Sequence, residues 1–104
     1  MITAATYTIT LGLESPAYSE QECRRIALQL AGQCFPAGHT VTEATGRWES
    51  PERGLIDEPS LVVTVIGEGS ANRDAVKAFC QAYKEEAQQD AVLLQITHPE
   101  TFWI

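Results

Sequence analysis

The stretch from Thr6 to Leu13 alternates strictly, with Tyr7, Ile9, Leu11 and Leu13 on one side and Thr6, Thr8 and Thr10 on the other. A period of two over this length specifies a strand with one face in a core. The Thr face is β-branched and only mildly polar, so it suits either solvent or a partner. A second strand signal, Leu61-Val62-Val63-Thr64-Val65-Ile66, is almost continuously apolar and β-branched, and reads as a central strand covered on both faces.

Two helical patterns surround these strands. Ser19 is placed to cap a helix in which Glu22 reaches back as a capping box. Cys23, Ile26, Ala27, Leu30, Ala31 and Cys34 follow as one apolar stripe, and Phe35-Pro36-Ala37-Gly38 ends it. The second helix runs from about Ala71 to Gln88, with Val76, Phe79, Cys80, Tyr83 and Ala87 at helical spacing. Thr40 to Trp48 reads as a mixed, edge-type strand: Val41, Glu43, Thr45 and Arg47 share one face, and Thr42, Ala44, Gly46 and Trp48 the other. Ala91 to Thr97 is a last strand with Val92, Leu94 and Ile96 on one side. The polar, proline-punctuated segment from Ser50 to Pro59 reads as a long irregular connection.

The order strand, helix, strand, strand, helix, strand fits an α+β fold. With right-handed crossovers it becomes a ferredoxin-like βαββαβ arrangement: a four-stranded antiparallel sheet with two helices on one face. At 104 residues the chain makes one domain. The second sheet face is then uncovered and partly apolar. A homodimer, through the open faces or by edge-strand pairing, is the expectation.

Charge limits the partners. Fourteen acidic residues against seven basic ones give a net charge of −7, and no basic patch is visible, which argues against an extended nucleic acid. No apolar run is long enough to span a membrane, so a membrane partner is not expected. The three cysteines, Cys23, Cys34 and Cys80, include no CxxC pair. Cys23 and Cys34 lie about 16 Å apart along the helix, too far for a disulfide. All three read as small buried hydrophobes, and a reducing cytoplasm is the simplest compartment. His39 and His98 sit at strand boundaries without metal-ligand spacing. Neither a metal nor a cofactor is expected. Gly67-Glu68-Gly69-Ser70 precedes a helix and offers backbone donors to an anion, but it reads better as a turn capped by Ser70 or Asn72.

Candidate binding residues concentrate in one segment: Glu43, Thr45, Gly46, Arg47 and Trp48. A glycine inside a strand marks a bulge or a place of close approach. Arg47 offers a donor fork for phosphate or carboxylate, and Trp48 a plane for stacking a ring. The competing interpretation is an internal Glu43–Arg47 salt bridge beside a core Trp48.

Phe35-Pro36-x-Gly38, Thr40-Val41, Gly46-x-Trp48, Glu58-x-Ser60-Leu61-Val62-Val63 and Gln89-x-x-Val92-Leu93 carry a resemblance over nearly the whole chain. The sequence resembles an uncharacterised family of short ferredoxin-like proteins of bacteria and tailed phages, a domain of unknown function. The chain is similar to the phage-type, cytoplasmic members. The resemblance implies no catalytic residues, and it adds weight to the Glu43–Trp48 segment.

The function expected is therefore a non-enzymatic binder of a small anionic or nucleotide-like molecule, of phage type, that sequesters a signal of host defence. An acidic inhibitor of a host protein complex is the alternative. A small enzyme using Glu43, Tyr7, His39 or Tyr83 ranks below both.

Overall fold

A computed structural model describes residues 4–68 and 70–104, the side chains of residues 70 and 71 excepted. The elements run β1 (Ala5–Gly12), α1 (Glu20–Cys34), β2 (Thr40–Ser50), β3 (Gly54–Gly67), α2 (Ser70–Glu86) and β4 (Leu93–Thr97). They form one antiparallel sheet in the order β2-β3-β1-β4, with β2 and β4 at the edges. This is the ferredoxin-like βαββαβ fold.

The alternation in β1 decides which face is covered. Tyr7, Ile9 and Leu11 are buried, as are their β3 counterparts Val65, Val63 and Leu61 in direct register. The two helices close this face with Cys23, Ile26, Ala27 and Ala31 from α1 and Val76, Phe79 and Tyr83 from α2. Phe35 and Phe79 meet with ring centroids 5.1 Å apart, tilted by 57°. Leu94 and Ile96 of β4 pack at the margin of this core, as does Val92 just before it.

The opposite face carries Thr6, Thr8 and Thr10 with Val62, Thr64 and Ile66, and among the described residues no helix or further strand covers it. The apolar run of β3 is thus covered on one face only within the chain: Val63 is 1% exposed and Ile66 43%.

Ser19 caps α1 by accepting from the Glu22 N–H at 3.2 Å. Glu22 does not reach back as the capping-box pattern requires; its carboxylate binds Arg25 instead. The Phe35 N–H bonds the Ala31 carbonyl at 2.8 Å, and His39 Nδ1 lies 3.0 Å from the Phe35 carbonyl, a boundary role for that histidine. The capping role expected of the Ser70 side chain falls on a side chain that is not among those described. The Asn72 amide donates to the Glu68 carbonyl and packs over Gly67, where a Cβ would meet it at 2.5 Å.

The expectation of a long irregular connection over residues 50–59 is wrong. Only residues 51–53 turn, and β3 begins at Gly54. Ser50 Oγ accepts the N–H groups of Glu52 and Arg53, and Gly54 takes φ +74°, which glycine supplies without strain. Pro59 is tolerated because of where its missing donor would point. Its carbonyl accepts from the Leu13 N–H, just past the last β1–β3 pair, Gly12–Ser60, so the missing donor falls at the end of the ladder and not inside it. The result is a long β2–β3 ribbon that runs past the end of β1.

Among the described residues, no helix is long and apolar enough to cross a membrane. The three cysteines are free, and burial pushes the Cys80 thiol up to about 11 and raises that of Cys23. Neither is a ready thiolate at neutral pH.

Tyr83, fully buried, donates to the Gly12 carbonyl at 2.5 Å and ties α2 to the end of β1. Burial raises its hydroxyl well above the ordinary range, so it remains a donor at every working pH. Tyr83→Phe leaves that carbonyl without its donor, and urea unfolding is expected to show a loss of about 1–2 kcal/mol.

Candidate functional site

Strand geometry splits the predicted cluster. Residues opposite each other in β2 and β3 share a face, so Glu43, Thr45 and Arg47 lie on the helix side and Gly46 and Trp48 on the open side. Each charged member is engaged. The Arg24 guanidinium of α1 grips Glu43 with two bonds of 2.9 and 3.1 Å, and Arg47 grips Asp57 on the neighbouring strand at 2.6 and 3.0 Å. These bonds lower the carboxyl pKa of Glu43 and of Asp57. The Glu43–Arg47 bridge does not form, and Trp48, 41% exposed, is not a core residue.

The concavity lies where the ribbon leaves β1. It is a groove of about 750 Å³. Thr10 and Gly12 of β1, Ser60 and Glu58 of β3, and Gly46 and Trp48 of β2 line its open-face side. Glu14, after β1, and Gln88 to Ala91, between α2 and β4, close one end. Gly46, Arg47 and Trp48 therefore belong to the lining; Glu43 and Thr45 do not.

Several contacts hold this shape. Gln88 turns the chain after α2 with φ +53°, and the Gln89 N–H bonds the Lys84 carbonyl at 2.9 Å. The Gln89 amide then donates to the Glu14 carbonyl at 2.6 Å. Gly12 makes room at the bottom: a Cβ there would lie 2.7 Å from Glu58 Oε1 and 3.0 Å from Gln89 Oε1. At Gly46 a Cβ would lie 3.2 Å from Ser60 Oγ.

Glu58 is the perturbed group. Burial raises its carboxyl pKa most and the Glu14 charge adds to this; Arg53 and a hydrogen bond from Trp48 pull the other way. In the unfolded chain Glu58 titrates near its ordinary value, so ionising it costs more in the native state. Stability linked to this group is therefore full below the unfolded pKa and is lost as pH rises through the native one. Glu58→Gln is expected to raise Tm at pH 7.5 by about 2 °C, the shift that a few tenths of a kcal/mol gives a domain of this size. Scanning calorimetry should find the gain vanishing toward pH 4.

The charge balance bears on the ligand. Glu14, Glu52, Glu58 and Asp90 line the groove against Arg47 and Arg53. Arg47 is held by Asp57, and Arg53 lies 3.5 Å from Glu14. Both lining arginines are thus already partnered, which suits an uncharged polar ring better than a polyphosphate. Among the described residues, no three of His, Cys, Asp and Glu gather to hold a metal ion.

Glu14, Glu58 and Gln89 are not among the binding candidates drawn from the sequence, because they come together from three separate parts of the chain: the end of β1, strand β3 and the α2–β4 connection. The signals that point toward them are Gly12, a glycine at the end of a strictly alternating strand, and the family motifs that contain Glu58 and Gln89.

Solved structures share the fold at low identity. A phage SAM lyase in complex with S-methyl-5'-thioadenosine is 19% identical with a TM-score of 0.69, over 91% of this chain and 81% of that one. GlnK of B. subtilis in complex with ATP is 12% identical with a TM-score of 0.59, over 94% and 84%. CutA of Synechococcus elongatus is 10% identical with a TM-score of 0.58, over 95% and 79%. No curated protein matches the sequence significantly. Residues 7–102 match the family described as Protein of unknown function (DUF3574), and the chain belongs to that family.

Proposed function

We propose that this protein binds a small nucleoside-like molecule in the groove beside Trp48 and holds it without turning it over. The observation that carries the reading is a half-exposed indole beside a polar groove whose floor is cleared by Gly12 and Gly46. The ring stacks on Trp48, while Ser60, Gln89 and Glu58 offer hydrogen bonds to its edge and ribose. Of the candidates raised by sequence, Gly46, Arg47 and Trp48 keep a place at the groove; Glu43 and Thr45 act through the strand they belong to. Two proteins of the same fold were solved with adenine derivatives, the nucleoside S-methyl-5'-thioadenosine and the nucleotide ATP, which supports an adenine-bearing ligand. Partnered arginines favour an uncharged nucleoside over a nucleotide. A binder of this kind, in a phage setting, lowers the free level of a nucleoside-like host signal by sequestration in the cytoplasm.

Calorimetry with S-methyl-5'-thioadenosine, adenosine and ATP tests this reading. The uncharged nucleosides are expected to bind at least about tenfold tighter than ATP, a difference of about 1.4 kcal/mol. Recovery of unchanged ligand distinguishes a binder from an enzyme. Absence of heat with all three removes the proposal.

A further inference from the structure

The open sheet face is unusual in a chain of net charge −7. Its positions carry Thr6, Thr8 and Thr10 of β1, Val62, Thr64 and Ile66 of β3, Thr40, Thr42 and Ala44 of β2, and Leu93, Gln95 and Thr97 of β4. None is charged, and Ile66 and Leu93 are 43% and 55% exposed. The helix side, by contrast, displays Glu20, Glu22, Arg24 and Arg25 on α1 and Lys77, Lys84 and Glu85 on α2. Among the described residues on the open face, Glu58 is the one charge, and it sits in the groove.

We infer that a second copy of this chain covers the open face and closes the groove beside Trp48. Two acidic copies repel wherever their charged surfaces meet, and the open face is where they meet without that cost. It also removes apolar area from water on both copies. The size is adequate: four strands about 4.8 Å apart, each about eight residues of roughly 3.4 Å, give about 500 Å² in projection. Accessible area exceeds projection on a pleated surface, which brings the face to the lower end of the roughly 600–1,000 Å² per partner of a specific interface. Thr10, Gly12, Ser60, Gly46 and Trp48 line the groove from this same face, so a covering copy becomes its missing wall. This last step rests on the ligand reading above; the association itself does not.

Sedimentation equilibrium at micromolar concentration tests the association. Wild-type protein is expected at twice the chain mass of 11.4 kDa or more. Thr64→Glu places a carboxylate mid-face, opposite Thr8 and Thr40, and is expected to give the single-chain mass with an unchanged far-UV spectrum. Thr8→Glu serves the same purpose should the first variant fail to fold. Gln33→Glu adds the same charge on α1 and is expected to leave the mass unchanged. A monomeric wild type overturns the inference, as does dissociation by Gln33→Glu alone or an unaltered mass in both face variants. Affinity for S-methyl-5'-thioadenosine is expected to fall at least about tenfold in the dissociated variants; unchanged affinity there overturns the shared wall. If the masses behave as expected but wild type binds no nucleoside, the interface stands and the ligand reading fails.

Discussion

Phe79→Ala is expected to lower the unfolding free energy by about 3–5 kcal/mol, the usual cost of emptying a buried aromatic site. The side chain is fully buried on α2 and packs against Phe35 at the end of α1, so its ring joins the two helices over the sheet. Loss of the ring leaves a cavity between elements that are anchored independently, by Tyr83 on the Gly12 carbonyl and by the paired strands. Collapse into that cavity is therefore limited. A domain of this length has about 5–15 kcal/mol in all, so the variant is at the margin of folding. Urea unfolding should show a much lower midpoint with an unchanged slope. A loss below about 1 kcal/mol would mean that the helices do not depend on this ring.

Trp48→Ala is the second large effect, and it falls on binding rather than on folding. A nucleobase stacked on an aromatic side chain contributes about 1–3 kcal/mol, so the affinity for S-methyl-5'-thioadenosine is expected to drop about 10- to 100-fold. Stability should change by less than about 1 kcal/mol, because the indole is 41% exposed and lies outside the helix-covered core. Arg47→Ala separates the two interpretations of the segment. Its ion pair with Asp57 is exposed, and such pairs contribute about 0–1 kcal/mol, so that variant should bind and fold nearly as wild type does.

Legibility in the sequence followed from how local each signal is. Strand β1 and helix α1 are readable because Tyr7, Ile9 and Leu11, or Cys23, Ile26 and Ala27, repeat with the period of their own element. The order of elements then leads to the sheet topology through handedness alone. The ribbon from Ser50 to Pro59 is not readable in that way. Its Gly, Pro and charged residues are turn-formers by composition; only pairing with β2 shows that Pro59 is in a strand, and only the β1–β3 register shows that it lies past the end of β1. The binding segment divides along the same line. The face alternation of β2 is legible, but Arg24 from α1 and Asp57 from β3, which occupy Glu43 and Arg47, come from other parts of the chain. The groove itself depends on Gln89 reaching Glu14 across a separation that no local pattern records.

The most direct test uses the indole as its own probe. The chain has two tryptophans, so Trp103→Phe leaves Trp48 as the sole reporter. Titration with S-methyl-5'-thioadenosine should then give a saturable change in its fluorescence, with a midpoint matching that from calorimetry. Emission that stays constant to millimolar ligand, with calorimetry equally flat, would contradict a binding groove at Trp48.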